Sequence, residues 1–286
     1  MKFALMFVNS GPFADPERLA HLAVTAEKCG FESIWTVEHV VIPKDYKSPY
    51  PYSADGKIPG GDNIAIPDPL LPLAYAAALT KKIKLGTGVM ILPQRHPLYV
   101  AKEVATLDVL SGGRALLGIG SGWLKEEFDA LGLDFHQRGA RTNEAIQAVR
   151  ACWRDAESSF HGKHFDFGPV KSFPKPAQKS GVPIHVGGHS PAAVKRAARY
   201  GDGFLPASGA SGRLGELFDL LKVEAQKAGR KPESIELSCM ARPQPDFIKM
   251  ITDLGVSRAV MGPPAFDKDG LERGLEKIGN ELIAKN

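Results

Sequence analysis

Cysteine is scarce. Cys29, Cys152 and Cys239 are the only three in 286 residues, far apart and with no CxxC spacing. That excludes a disulfide framework and a zinc knuckle. Long apolar runs are missing as well: stretches such as Leu70 to Leu79 are too short and too interrupted to span a bilayer. Lysine and arginine are scattered, with no basic run of five, so the footprint of a nucleic-acid binder is lacking. There is no Gly-x-Ser-x-Gly elbow, no Walker-type Gly-Lys-Ser/Thr, no internal repeat and no low-complexity tract. The opening stretch Met1 to Val8 holds one cation and seven apolar residues before Asn9-Ser10-Gly11-Pro12. A signal peptide needs a longer apolar region, so a first core strand is expected there. These absences predict a soluble, cytoplasmic protein with neither membrane nor nucleic acid as partner.

Hydrophobic residues make up 43% and charged residues 24%, ordinary values for a globular chain. The formal net charge of +4 fits either a well-solvated mixed surface or a site for an anionic small molecule. Strand-like and helix-like segments alternate throughout. Lys2–Val8, Ser33–Val37, Ile83–Leu92, Ala115–Ile119, Pro183–Val186, Gly203–Pro206, Ile235–Met240 and Arg258–Met261 read as strands. Pro16–Cys29, Asp68–Lys81, Leu98–Leu110, Leu124–Leu131, Thr142–Trp153, Pro191–Tyr200, Leu214–Ala228, Asp246–Leu254 and Leu271–Ile283 read as helices. A doubly wound open sheet produces the same local pattern. Eight strand-then-helix units without a break in composition favour closure, and the expectation is a single (β/α)8 TIM barrel over residues 1–286. Two segments interrupt the rhythm, after strands two and four. Residues 40–67 carry five prolines with Tyr46, Tyr50 and Tyr52; residues 157–182 carry Phe160, Phe165, Phe167 and Phe173. A long loop rich in proline, glycine and tyrosine is usually a lid or a binding loop.

In such a barrel the chemistry sits at the carboxyl ends of the strands. Strand two ends in Glu38-His39, the only acid–imidazole pair directly at a strand terminus. Adjacent strand residues point to opposite faces, so the two need not touch. Histidine trades a proton near neutral pH, which suits general acid or base work; hydrogen bonding to a loop carbonyl is the competing reading. Gly187-Gly188-His189-Ser190-Pro191 reads as an anion cradle at a helix N-terminus, or as a tight turn with an ordinary serine cap. Gly118-Ile119-Gly120-Ser121-Gly122 lacks the last glycine of a dinucleotide motif. It is read as a strand end against which a flat ligand lies. His161-x-x-His164 has no cysteine nearby and reads as a surface turn, so no metal site is expected; Phe128 and Trp153 read as core.

Taken in order, these segments resemble the bacterial luciferase-like flavin and deazaflavin oxidoreductases. The motifs that carry the resemblance are Phe31 to His39, Ile83 to Val89, Leu107 to Arg114, Gly118 to Trp123, Glu126-Glu127-Phe128, Val186-Gly187-Gly188 and Ala197 to Gly203. Within that family the pattern is most similar to the actinobacterial branch that uses the deazaflavin coenzyme F-420. The resemblance implies a homodimeric barrel enzyme binding coenzyme F-420, or reduced FMN, together with a small-molecule substrate. It implies His39 as acid/base with Glu38 in support, and a non-standard, often cis, peptide at Gly88-Val89 behind the ring. The Gly187 and Gly188 amides are implied to hold the phosphate, and Thr87, Ser121, Gly122, Trp123, Val186 and His189 complete the cofactor-binding set. The family's sugar-phosphate dehydrogenases carry glutamate where Trp123 stands, a departure that points to a more apolar substrate. Lys125, Lys163, Lys171, Lys175 and Lys179 are candidates for the anionic tail of a deazaflavin, or form a solvated face. Two other functions remain open at this point: a two-component FMN-dependent monooxygenase, and a barrel that binds flavin or deazaflavin without turnover.

Overall fold

The computed structural model describes residues 1–206 and 212–285. Residues 207–211, directly after the expected sixth strand Gly203–Pro206, therefore lie outside the described residues. Lys2–Met6 forms β1 and Pro16–Lys28 forms α1. Asp15 caps α1 by accepting the Arg18 amide at 3.0 Å, and Pro16 takes the first helical position, where no N–H is needed. The buried face of α1 includes Leu19, Leu22, Ala23 and Ala26, the stripe its spacing predicts.

The chain continues through β2 (Ser33–Thr36), α2 (Leu70–Leu79), β3 (Lys84–Thr87), β4 (Met90–Ile91), α3 (Pro97–Ser111), β5 (Ala115–Gly120), α4 (Lys125–Ala130) and α5 (Arg138–Arg154). Then come β6 (Ser158–His161), β7 (Asp166–Val170), β8 (Ile184–Gly187), α6 (Pro191–Tyr200), β9 (Gly203–Leu205) and α7 (Leu214–Lys227). The last elements are β10 (Glu236–Met240), α8 (Pro245–Asp253), β11 (Arg258–Met261) and α9 (Lys268–Glu281). Strands neighbour one another in the order β3-β2-β1-β11-β10-β9-β8-β5, and β3 also pairs with β5. Every one of these pairings is parallel, so the eight strands close into the barrel that the alternation predicts.

The third strand is broken into β3 and β4, and the peptide between Gly88 and Val89 is cis, as the family resemblance implies. One feature departs from the expected pattern. Residues 157–182 are not plain loop: β6 and β7 form an antiparallel hairpin that sets Phe160 opposite Phe167.

Trp35, Ala4, Met6, Leu116, Leu205 and Val260 form a cluster of their own on the inward side of the strands, while the main core lies between strands and helices. At the amino-terminal end of the barrel Arg258 is almost fully buried. Its guanidinium donates to both Glu32 oxygens at 3.0 Å and to Glu236. Lys84 adds to Glu32 at 3.2 Å, and Lys2 to Glu236. Burial alone would raise the Glu32 carboxyl, but Arg258 holds it down to about 2. His185, packed edge-on against Trp35, is held down to about 4 by burial and by the neighbouring Arg258 charge. His185 Nδ1 is buried here without a hydrogen bond among the described residues; the candidate site lies at the opposite end of the strands.

A candidate active site at the carboxyl ends of the strands

Glu38 and His39 leave β2 in opposite directions. The Glu38 carboxylate accepts the Ile91 amide and two guanidinium bonds from Arg95, at 2.8 and 2.6 Å. Arg95 reaches on to Asp68 at 2.7 Å and lies 3.6 Å from Glu103. Burial pushes the Glu38 carboxyl up, while Arg95 and the Ile91 amide favour its ionised form. Glu38 therefore fastens β2 to the segment just beyond the cis peptide and turns away from His39.

His39 turns instead to Glu127 on α4, a residue 88 positions away. Its Nδ1 lies 3.0 Å from Glu127 Oε2, and Glu127 Oε1 accepts the Val40 amide at 2.7 Å and the Val41 amide at 3.3 Å. The Glu127 side chain is 0% exposed and that of His39 11%. The His39 Nε2 has no hydrogen bond among the described residues. Glu127 is the functional candidate that sequence reasoning missed as a site residue. A signal for it exists: Leu124, Glu127, Phe128 and Leu131 stand at i, i+3, i+4 and i+7, so Glu127 falls on an apolar helical stripe. A carboxylate there is buried, and a buried carboxylate needs partners.

The loop of residues 40–67 folds down beside this pair as a small apolar unit. Tyr46, Ile58 and Leu124 are its buried centre, with Ile42, Tyr50, Ile64 and Trp123 packed around them. Glu126 fastens the loop by accepting the Lys47 and Ser48 amides at 2.7 and 3.0 Å. Edge-to-face ring contacts then run from His39 to Trp123 (5.7 Å), from Trp123 to Tyr50 (5.2 Å), from Tyr50 to Tyr52 (5.1 Å) and from Tyr52 to His189 (5.7 Å). Burial pushes the Tyr52 phenol up to about 12, so it stays a proton-bearing donor at neutral pH. Aromatic contacts thus connect the imidazole after β2 with the turn after β8.

That turn caps α6: the Ala193 amide donates to Ser190 Oγ at 3.2 Å, and Pro191 starts the helix. Gly188 sits at φ +117°, a conformation few side chains adopt. Its amide donates to the Leu205 carbonyl at 3.2 Å, and the His189 and Ser190 amides that follow have no partner among the described residues. His189 Nδ1 is also buried without a hydrogen bond. A methyl group at Gly187 or at Gly120 would lie 2.6 Å from the Val89 side chain. These two glycines leave room for Val89 between β5 and β8, beside the strand ends that the sequence reads as backing a ligand.

Of the remaining candidates, Thr87 is buried with its hydroxyl on the Gly118 carbonyl, and Ser121 Oγ accepts from Thr142 at 3.1 Å. Gly122 is at φ +80°, and Val186 is buried in β8. Phe128 and Trp153 are buried core residues, and the exposed His161 meets Asp166 across the hairpin at 2.6 Å. Lys175 is committed to the Cys152 and Asp155 carbonyls, and Lys125 to Asp129.

The model of the luciferase-like monooxygenase family matches residues 2–246. The chain belongs to this family. Among family relatives, an uncharacterised protein of Mycobacterium tuberculosis is 32% identical over 273 residues, covering 92% of this chain and 94% of that one. An F-420-dependent glucose-6-phosphate dehydrogenase of Kineococcus radiotolerans is 33% identical over 198 residues, 68% of this chain but 53% of the relative. The chain thus spans about half the length of that dehydrogenase. Among solved structures, a monooxygenase of Streptomyces bottropensis superposes with a TM-score of 0.78 at 23% identity, covering 100% of this chain and 99% of the other. That likeness is one of fold.

Proposed function

We propose that the protein is a coenzyme F-420-dependent oxidoreductase that moves hydride to or from a small, apolar organic molecule, with His39 giving or taking the accompanying proton. The observation that carries the reading is His39 itself: an imidazole at a strand's carboxyl end, oriented by a buried carboxylate through Nδ1 and with Nε2 unengaged. Family membership and the dehydrogenase relative support the choice of cofactor. When bound, the deazaflavin supplies a two-electron hydride donor or acceptor; its carbon at the reacting position confines it in practice to that chemistry. The chain's own residues fit such a group. The free His189 and Ser190 amides, at the positive end of α6, would take its phosphate, and His39 would face its reactive ring. Glu38 acts by holding β2 to Ile91 and Arg95. Trp123, Tyr46 and Tyr50 offer an apolar, aromatic wall in place of a carboxylate, which supports an apolar substrate over a sugar phosphate.

Paired anaerobic titrations test this directly. Micromolar or tighter binding of coenzyme F-420, followed by its fluorescence, is expected with little binding of reduced FMN. The reverse preference would move the protein to the oxygen-using monooxygenases, and binding of the deazaflavin without turnover on a broad substrate panel would make it a carrier.

We also infer a homodimer through α2 and α3, which pack side by side. Leu71, Tyr75 and Leu79 line the outer side of α2, and Tyr99 and Leu110 that of α3; Leu71 is 72% exposed, Tyr99 70% and Leu110 69%. Exposed apolar residues gathered on two neighbouring helices fit a face covered by a second copy of the chain. Sedimentation velocity should find a dimer, and Leu71→Arg with Leu110→Arg a monomer; a monomeric wild type ends the inference. No helix among the described residues is long and apolar enough to cross a membrane. The three unpaired cysteines support a reducing, cytoplasmic setting.

A further inference from the structure

We propose that Glu127 is a positioning residue that sets the tautomer of His39, and so decides which imidazole nitrogen handles the proton. The inference rests on the acid/base reading of His39. An ionised carboxylate can only accept hydrogen bonds. Both Glu127 oxygens are committed, Oε1 to the Val40 and Val41 amides and Oε2 to His39, and the side chain has no exposure through which water could substitute. His39 Nδ1 must therefore carry the hydrogen. In the neutral ring Nε2 then holds the lone pair, and Nε2 is the nitrogen without a partner among the described residues. The same carboxylate grips the first two residues of the 40–67 loop. One anchor thus fixes both the proton-handling nitrogen and the root of the aromatic wall, with Trp123 in edge contact with the imidazole.

Glu127→Gln inverts this arrangement without changing side-chain shape. Two backbone N–H groups converge where Oε1 stands, so the amide oxygen must take that place, since an NH2 there would face two donors. The NH2 group is then turned to His39 Nδ1, which must become an acceptor and pass its hydrogen to Nε2. The decisive measurement is a long-range 1H–15N histidine spectrum at about pH 8, above the ordinary imidazole range, with the His39 signals assigned by their loss in His39→Asn. The wild type should show the Nδ1–H form and Glu127→Gln the Nε2–H form. An Nε2–H or tautomerically averaged His39 in the wild type overturns the proposal, and that spectrum needs no Glu127 variant to fold. An unchanged tautomer in a folded Glu127→Gln protein overturns it equally. In turnover with coenzyme F-420, the variant should lose about ten- to a hundredfold in kcat while its cofactor Kd stays within about twofold. If the tautomer inverts and kcat does not fall, Glu127 keeps its assignment and it is the acid/base reading of His39 that fails.

Discussion

His39→Ala is expected to lower kcat by about 10²- to 10⁴-fold while leaving the affinity for coenzyme F-420 within about twofold, the range general acid/base groups contribute. The expectation of a split comes from what the imidazole does and does not hold. Its Nδ1 serves Glu127, and its Nε2 serves nothing among the described residues. Removing the ring takes away a proton site and the partner of Glu127 Oε2, while the other anchors of the loop stay. Glu127 still accepts the Val40 and Val41 amides, Glu126 still accepts those of Lys47 and Ser48, and the loop keeps its buried Tyr46–Ile58–Leu124 centre. The turn before α6, where the phosphate would sit, is reached from His39 only through the chain of rings. Steady-state kinetics beside a fluorescence titration separate the two quantities. An equal loss in kcat and in cofactor affinity would reduce His39 to a binding residue.

What was legible in the sequence was local. The eight strands and the helices between them show as runs and stripes of apolar residues, and these are properties of neighbours along the chain. The apolar run Ile83 to Leu92 reads as one strand, and only the family resemblance pointed to the non-standard peptide at Gly88-Val89 where β3 stops. The hairpin of β6 and β7 was hidden by Gly162, Gly168 and Pro169, which read as loop, although Phe160 and Phe167 were waiting to pair. α5 begins at Arg138, not Thr142, since its first turn is polar and carries no apolar stripe. At the site, His39 could be picked from its place at a strand end. Its partner could not be named, because Glu127 follows Glu126 in a helical first turn where acids are favoured for electrostatic reasons alone. Gly120 and Gly187 read as space for a ligand, and what the sequence does not show is that both also leave room for the Val89 side chain.

At the other end of the barrel, Arg258→Met should cost about 2–4 kcal/mol of stability at pH 8, for it leaves Glu32 and Glu236 without their buried partner. The lower part of that range reflects Lys84 and Lys2, which still reach the two carboxylates from more exposed positions. The cost should also depend on pH in a definite direction. Glu32 is held down to about 2 in the fold, so its contribution is complete above the ordinary carboxylate range and fades only as pH falls toward 2. His185 works in a higher window. Its imidazole is held down from 6.5 to about 4, so the unfolded chain takes up a proton there before the folded one does. Wild-type stability should therefore fall as pH drops from about 6.5 to 4, by roughly 3 kcal/mol from this group. Arg258 is one of the charges that keep His185 unprotonated, whereas Glu236, Asp202 and Glu32 pull the other way. Without the arginine those carboxylates draw a proton onto His185 inside the fold, which restores part of the lost charge balance. Variant and wild type should thus converge as the solution is acidified from pH 8 to about pH 5. Urea unfolding at a series of pH values reads both curves; a gap that stays constant across the series would mean that Arg258 contributes packing against Trp35 and no charge pairing.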